Sequence, residues 1–244
     1  MKIKARAVAR FSHIKAAIRP SNYKFSELLI TSGNFFERIP DVFVERQIAY
    51  AMRSEGSDKC TSHDYERIYS FLIANVPRGP ILEIGLGSNN LDTPSNMGSQ
   101  GIPGASLRAW RSLGFFSEVW GADVDKRILF TEPGIETRFV DQLDVTTIEA
   151  LAKDANVVHP CGFALIVDDG LHTAEANFNV ICGLWGSLMV GGYLIVEDLS
   201  PEELHKLMLN IIGNFPDADW ALWSNINRGV DNQVLVLKRV SELS

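Results

Sequence analysis

Between residues 81 and 196 short apolar runs alternate with helical patterns, and this alternation leaves few folds open. The runs are Ile81–Ile84, Val119–Ala122, Arg138–Val140, Phe163–Val167 and Tyr193–Val196, and the helical patterns fall at 105–114, 146–153 and 173–189. Short, nearly continuous apolar runs suit strands buried on both faces. Strands separated by helices pair in parallel, through crossovers that cover both sides of the sheet. A helix over Tyr65–Val76, stopped by Pro77-Arg78-Gly79-Pro80, precedes the first strand. A helix at Leu204–Ile212 follows the fifth, and Trp220–Ser224 and Gln233–Leu237, joined by a turn at Asn227-Arg228-Gly229, read as a terminal hairpin. The expected fold is α/β, with a doubly wound, mostly parallel sheet of seven strands.

The expected division is an N-terminal helical extension over 1–60 and a single α/β domain over 61–244. Ile3, Ala7, Phe11, Ile14 and Ile18 recur at helical spacing, so residues 1–18 read as an amphipathic helix; a further helical stretch runs from Phe43 to Met52. Residues 1–24 hold seven basic side chains and no acid, although the whole chain carries a net charge of −7. The basic helix suits either docking on a membrane surface or partner, or packing on the acidic body; packing is the reading preferred here. The acidic body repels polyanions, so nucleic acid is not an expected partner. No run approaches the roughly 18 apolar residues needed to span a bilayer. Cys60, Cys161 and Cys182 are odd in number and form no C-x-x-C pair, which points to reduced thiols and a cytoplasmic setting. Self-association is left open.

The first strand runs into Leu82-Glu83-Ile84-Gly85-Leu86-Gly87, a sharp turn that lets a ligand approach the backbone. A dinucleotide fingerprint would continue to a third glycine opening a helix. Here Ser88 to Gly104 is instead a Gly/Asn/Ser/Pro loop, and the acid Glu83 precedes the turn. This suits a ligand with a cationic sulfonium and amino group better than a diphosphate, and disfavours an NAD-linked oxidoreductase. Asp123 ends the second strand, where a carboxylate grips a ribose diol; NAD and S-adenosylmethionine both need that acid. The third strand ends in Asp141-Gln142-Leu143-Asp144, with Gln142 at the carboxyl edge and Asp144 as the expected acceptor for an adenine amino group. The expected cofactor-binding set is Glu83, Gly85, Gly87, Asp123, Gln142, Asp144 and Asp168.

The fourth strand ends in Asp168-Asp169-Gly170-Leu171-His172 and the fifth in Glu197-Asp198. If these strands are neighbours, four carboxylates converge and call for a cation. Oxygen donors without a thiolate point to a hard ion, Mg²⁺ first and Mn²⁺ or Ca²⁺ as alternatives. His172, three residues past Asp169, is placed to act as general base beside such an ion. The other histidines, His63 among them, read as surface or packing residues.

Together Glu83-Ile84-Gly85, Gly104 through Trp110, Gly121-Ala122-Asp123, Asp141-Gln142-x-Asp144, Asp169-Gly170-Leu171-His172, Gly191-Gly192-Tyr193 and Val196 through Leu199 resemble the metal-dependent macrolide-sugar O-methyltransferases of the mycinamicin and tetracenomycin-rhamnose type. So does Gly56-Ser57-Asp58-Lys59 followed by His63-x-Tyr65. The resemblance covers about residues 55–200 in order. It implies the Rossmann-like class I methyltransferase fold, S-adenosylmethionine as methyl donor, and Mg²⁺ held by Asp169, Glu197 and Asp198. His172 and Asp169 would be the catalytic pair, acting on a sugar hydroxyl of a small-molecule acceptor. The layout is also similar to the catechol O-methyltransferases, so a catechol-like acceptor stays open, as does a non-catalytic docking subunit that keeps the adenosyl site.

Overall fold

The computed structural model describes residues 15–16, 27–31, 35–38, 40–215, 218–225 and 232–240. Strands are β1 (Lys15–Ala16), β2 (Glu27–Thr31), β3 (Ile81–Ile84), β4 (Val119–Asp123), β5 (Thr131–Glu132), β6 (Ile135–Phe139), β7 (Phe163–Asp168), β8 (Leu188–Leu199), β9 (Ala218–Asn225) and β10 (Gln233–Arg239). Helices are α1 (Val42–Glu55), α2 (Glu66–Asn75), α3 (Ala105–Leu113), α4 (Val145–Val158), α5 (Ala174–Leu184) and α6 (Pro201–Asn214).

All the strands join one sheet in the order β1-β2-β9-β10-β8-β7-β3-β4-β6-β5. The five strands expected from the alternation, β3, β4, β6, β7 and β8, pair in parallel with one another. The expected hairpin is β9 against β10, and β10 pairs antiparallel with β8; its turn lies outside the described residues. The seven expected strands are therefore present, and β1, β2 and β5 extend the two edges. The expected helix over 1–18 lies outside the described residues except at Lys15–Ala16, which form a short strand against Ile30–Thr31 instead. Here β pairing overrides the helical spacing. Among the described residues no helix is long and apolar enough to cross a membrane, and all three cysteines are free.

Alternation along the central strands feeds two cores. On one face Ile81, Val119, Leu165, Val167 and Ile195 pack with Ile48, Met52, Ile68, Leu72 and Trp110 from α1, α2 and α3. On the other, Leu82, Ile84, Ile166, Leu194 and Val196 pack with residues of α4, α5 and α6. Both faces of the parallel sheet are thus dry, the doubly wound arrangement.

Register does the rest. Ile84 stands beside Asp168, and Asp168 beside Val196, so the next residues, Gly85, Asp169 and Glu197, line up along the carboxyl edge. The chain leaves β3 toward β4 on one side while β7 lies on the other, and the crevice at such a switch point is where open α/β sheets bind ligands. The closest approach is at Gly85, whose φ is +91° and where an added Cβ would lie 1.9 Å from the Asp169 carbonyl oxygen. Gly191 has a similar φ of +79° but open space around it. We therefore expect Gly85→Ala to lose more than about 3 kcal/mol of stability or to fail to fold, because backbone strain and a backbone clash add. Gly191→Ala should lose only about 1–2 kcal/mol, the cost of the left-handed conformation alone; urea denaturation of the pair measures the difference, and equal losses would remove the close approach.

Candidate functional site

A cavity of about 540 Å³ opens at this edge. The glycine turn and Asp123 form one flank, Asp169 to His172 and Asp198 form the floor, and Ser57, Asp58, Lys59 and His63 form the facing wall.

The glycine flank is built from backbone geometry. Gly87, at φ +74°, leaves room for the Met97 side chain, which an added Cβ would meet at 2.2 Å. Asp123 is buried at the end of β4 and accepts hydrogen bonds from the Leu86 amide at 2.7 Å and the Asp125 amide at 2.8 Å. Burial raises its carboxyl pKa against those two donors. A carboxylate has about four acceptor positions, so Asp123 keeps capacity for a ligand hydroxyl. Asp125, two residues on, fastens the loop that follows the glycine turn: it accepts from Ser88 Oγ at 2.6 Å, Asn90 Nδ2 at 2.7 Å, Thr93 Oγ1 at 3.1 Å and Arg127 Nε at 2.7 Å.

Three of the acids expected to meet the cofactor are engaged otherwise. Glu83 is fully buried, and its oxygens take Ser106 Oγ at 2.6 Å and Trp110 Nε1 at 2.8 Å, with Lys59 Nζ at 3.5 Å. It anchors α3 to β3 and is part of the cavity lining. Asp144 is exposed and caps α4, accepting from Thr146 N at 3.1 Å and Thr146 Oγ1 at 2.7 Å. Its place at the carboxyl edge was read correctly, but a helix start there claims the carboxylate. Asp168 is fully buried and accepts from Gln142 Nε2 at 2.8 Å and Asn177 Nδ2 at 2.9 Å. Gln142 lines the cavity, and its Oε1 accepts the Leu171 amide at 2.7 Å, so it ties the β6 edge to the Asp169–His172 loop.

The four carboxylates therefore do not all converge. Successive strand residues point to opposite faces, and Asp168 turns away from Asp169. Asp169 and Asp198 come together with His172: one ligand atom from each lies within 4.8 Å of the others. That span is close to the roughly 4.2 Å between opposite ligands of octahedral Mg²⁺ at about 2.1 Å each. Asp169 accepts from Lys59 Nζ at 2.5 Å through Oδ2, and Asp198 accepts from Tyr65 OH and, at 3.1 Å, His63 Nδ1 through Oδ1. Each thus meets the protein through one oxygen. Glu197 is fully buried and gives one oxygen to Lys59 Nζ and the other to Tyr69 OH, at 2.5 Å. Each oxygen keeps a second lone pair, so a cation would share Glu197 with the Lys59 and Tyr69 donors.

The charges follow from this packing. Burial raises Glu197 and Asp169, and Lys59 offsets part of the rise in each. Burial also raises Asp198, but the His63 and Tyr65 donors reverse the sign and leave it lowered. Burial disfavours a charge on His63, yet Asp198, Asp58 and Asn232 outweigh it and raise its pKa to about 11. His172 has a left-handed backbone, φ +58°, and its buried Nδ1 has no hydrogen-bond partner. Strained non-glycine residues and unpaired buried nitrogens are both costly and cluster at functional sites.

Sequence reasoning missed Lys59, His63, Tyr65, Tyr69 and Asp125 as site residues. The first three lie in the polar stretch Gly56 to Tyr65 between two helices, which hydrophobic periodicity passes over. Tyr65 and Tyr69 are four residues apart, so they reach neighbouring acids from one helix face.

No protein-family model matches the chain. Over 144 residues it is 28% identical to the 8-demethyl-8-alpha-L-rhamnosyl tetracenomycin-C 2'-O-methyltransferase of Streptomyces olivaceus, a match spanning 59% of this chain and 35% of that protein. Over 137 residues it is 24% identical to the 8-demethyl-8-(2-methoxy-alpha-L-rhamnosyl)-tetracenomycin-C 3'-O-methyltransferase of the same organism, covering 56% and 32%. The chain thus spans about a third of the length of the curated relatives it matches. Among solved structures it is similar to the MycE methyltransferase of the mycinamycin biosynthetic pathway in complex with Mg and SAH, with TM-score 0.58, 19% identity, and coverage of 80% of this chain and 55% of that one. The complex of MycE with Mg, SAH and mycinamycin VI gives TM-score 0.57 and 18% identity, covering 80% of this chain and 54% of that one. The fold is that of these methyltransferases.

The reassignment of Asp144 is open to direct measurement. Asp144→Ala should lower stability by about 1 kcal/mol, the usual worth of a helix N-cap, read from the urea midpoint; no change would place its carboxylate somewhere other than the start of α4.

Proposed function

We propose that this chain is the S-adenosylmethionine-dependent, Mg²⁺-dependent catalytic domain of an O-methyltransferase that acts on a hydroxyl of a sugar or glycosylated natural product. The observation that carries the reading is the His172 imidazole, with an unpaired nitrogen, beside two carboxylates that each keep an oxygen toward the same cavity as the glycine turn. The rhamnosyl O-methyltransferase relatives and the fold shared with MycE support it.

In this reading the Gly85–Gly87 turn and Asp123 hold the adenosyl group, Asp123 through the ribose hydroxyls, while Gln142 keeps the opposite rim in register. Asp169 and Asp198 would hold the cation, hard oxygen donors suited to Mg²⁺ or Mn²⁺, and Glu197 would complete the set through a lone pair left free by its present donors. S-Adenosylmethionine supplies an electrophilic methyl, and the cation supplies charge that acidifies a nearby hydroxyl. His172 removes the hydroxyl proton at an imidazole nitrogen, and Asp169, three residues before it, orients the same end of the cavity. Leu86, Met97 and Ile102 give the cavity an apolar part of its lining. The acceptor is a small molecule, and a soluble cytoplasmic setting fits the unpaired cysteines.

The test is methyl transfer by purified protein from S-adenosylmethionine to rhamnosides, other glycosides and catechols, with Mg²⁺ and then with excess EDTA. Transfer to glycosides that chelation abolishes is expected; turnover undiminished in EDTA would remove the cation from the reading. His172→Ala should keep S-adenosylhomocysteine and Mg²⁺ affinity but lose about 10²–10⁴ in turnover, the usual worth of a general base. Asp169→Ala should lose Mg²⁺ affinity as well, and near-normal turnover in His172→Ala would move the base elsewhere.

A further inference from the structure

The group that most needs a reason is Lys59. It is 2% exposed, and no step of the methyl transfer uses it. Its ammonium has three N–H donors and faces three carboxylates: Asp169 at 2.5 Å, Glu197 in direct contact and Glu83 at 3.5 Å. These acids sit on three neighbouring strands, at the ends of β3, β7 and β8. The backbone that carries the lysine is itself fixed. It belongs to a single 3-10 turn, Asp58–Cys60, capped by Ser57, and the Lys59 carbonyl accepts the Tyr65 amide at 2.8 Å. The ammonium is therefore delivered into the acid cluster from the α1–α2 connection, at the wall of the cavity.

We propose that Lys59 is a resident counter-ion that holds the acidic strand ends together when no metal is bound and that competes with the divalent cation for Asp169 and Glu197. The inference rests on the cation site proposed above. Asp169 is the pivot: the same carboxylate touches Lys59 Nζ and belongs to the Asp169, His172 and Asp198 group. A cation arriving there meets a fixed like charge on its own ligand, and it shares Glu197 with that same charge. Within a few ångströms in a partly dry pocket such repulsion is substantial, so the lysine trades cation affinity for a folded metal-free state. His63, paired with Asp198, Asp58 and Asn232, leaves Asp169 and Glu197 untouched and does not take over this role.

Lys59→Met keeps the length of the stem and removes the charge. In EDTA the variant should melt well below the wild type, because two buried carboxylates and the half-buried Asp169 lose their common partner. Titrated with Mg²⁺ alone, it should bind about tenfold or more tightly than the wild type and show a larger Mg²⁺-dependent rise in melting temperature. Folding only when Mg²⁺ is present would support the proposal equally. As a safeguard against loss of folding, Lys59→Met combined with Glu83→Gln restores the charge balance without touching Asp169, Asp198 or Glu197; it should fold in EDTA and still bind Mg²⁺ more tightly than the wild type. Unchanged or weaker Mg²⁺ binding by the folded double variant overturns the counter-ion role while leaving the cation site standing. A wild type that binds no Mg²⁺ by calorimetry overturns both.

Discussion

The site depends on one buried ion-pair cluster, the Lys59 ammonium among Glu83, Asp169 and Glu197. Bringing charges out of water costs several kcal/mol each, and only close, well-bonded partners offset it. The parallel register supplies the closeness, since Ile84, Asp168 and Val196 stand side by side and so place the residues after them in a row. Ser106, Trp110 and Tyr69 supply the remaining donors to Glu83 and Glu197, and Tyr65 donates to the neighbouring Asp198. What is left after these bonds is one oxygen on Asp169, one on Asp198 and a nitrogen on His172, all at the cavity floor. The chemistry proposed for the site uses that remainder.

The same cluster explains why two segments remote in sequence form one pocket. The glycine turn belongs to β3, and Glu83 just before it is tied both to α3 and, through Lys59, to the ends of β7 and β8. The adenosyl side and the cation side are thus joined by side chains as well as by the sheet. Asp125 adds a second tie, fastening the Ser88–Thr93 loop to the end of β4. Both ties run through buried side chains, Lys59 and Glu83 in one and Ser88 and Asp125 in the other.

Much of this was legible in the sequence where a local pattern has a single physical cause. Apolar runs with helices between them located all five parallel strands, three of them to within a residue, whereas β6 begins three residues before the run at Arg138–Val140 and β8 extends beyond Tyr193–Val196 at both ends; Asp169 and His172 followed from acids placed after a strand. The acids that misled are those with a local competitor. Asp144 stands where a helix begins and caps it, and Asp168 differs from Asp169 only in pointing to the other face. Lys59 and His63 were invisible as site residues for a different reason. Their roles depend on partners more than 100 residues away, and the short polar turn that holds them has no periodicity to read. The expected N-terminal helix shows the converse, since spacing that suits a helix did not prevent Lys15–Ala16 from pairing as a strand.

The central claim is that methyl donor and cation share one cavity, joined through Asp169. It is tested most directly by binding S-adenosylmethionine carrying a ¹³C-labelled methyl, adding Mn²⁺, and measuring paramagnetic relaxation of the methyl resonance. The account predicts strong, saturable broadening that Mg²⁺ reverses by competition and that Asp169→Asn abolishes while the methyl donor still binds. A methyl resonance that Mn²⁺ leaves sharp, with both ligands bound to the wild-type protein, would contradict it.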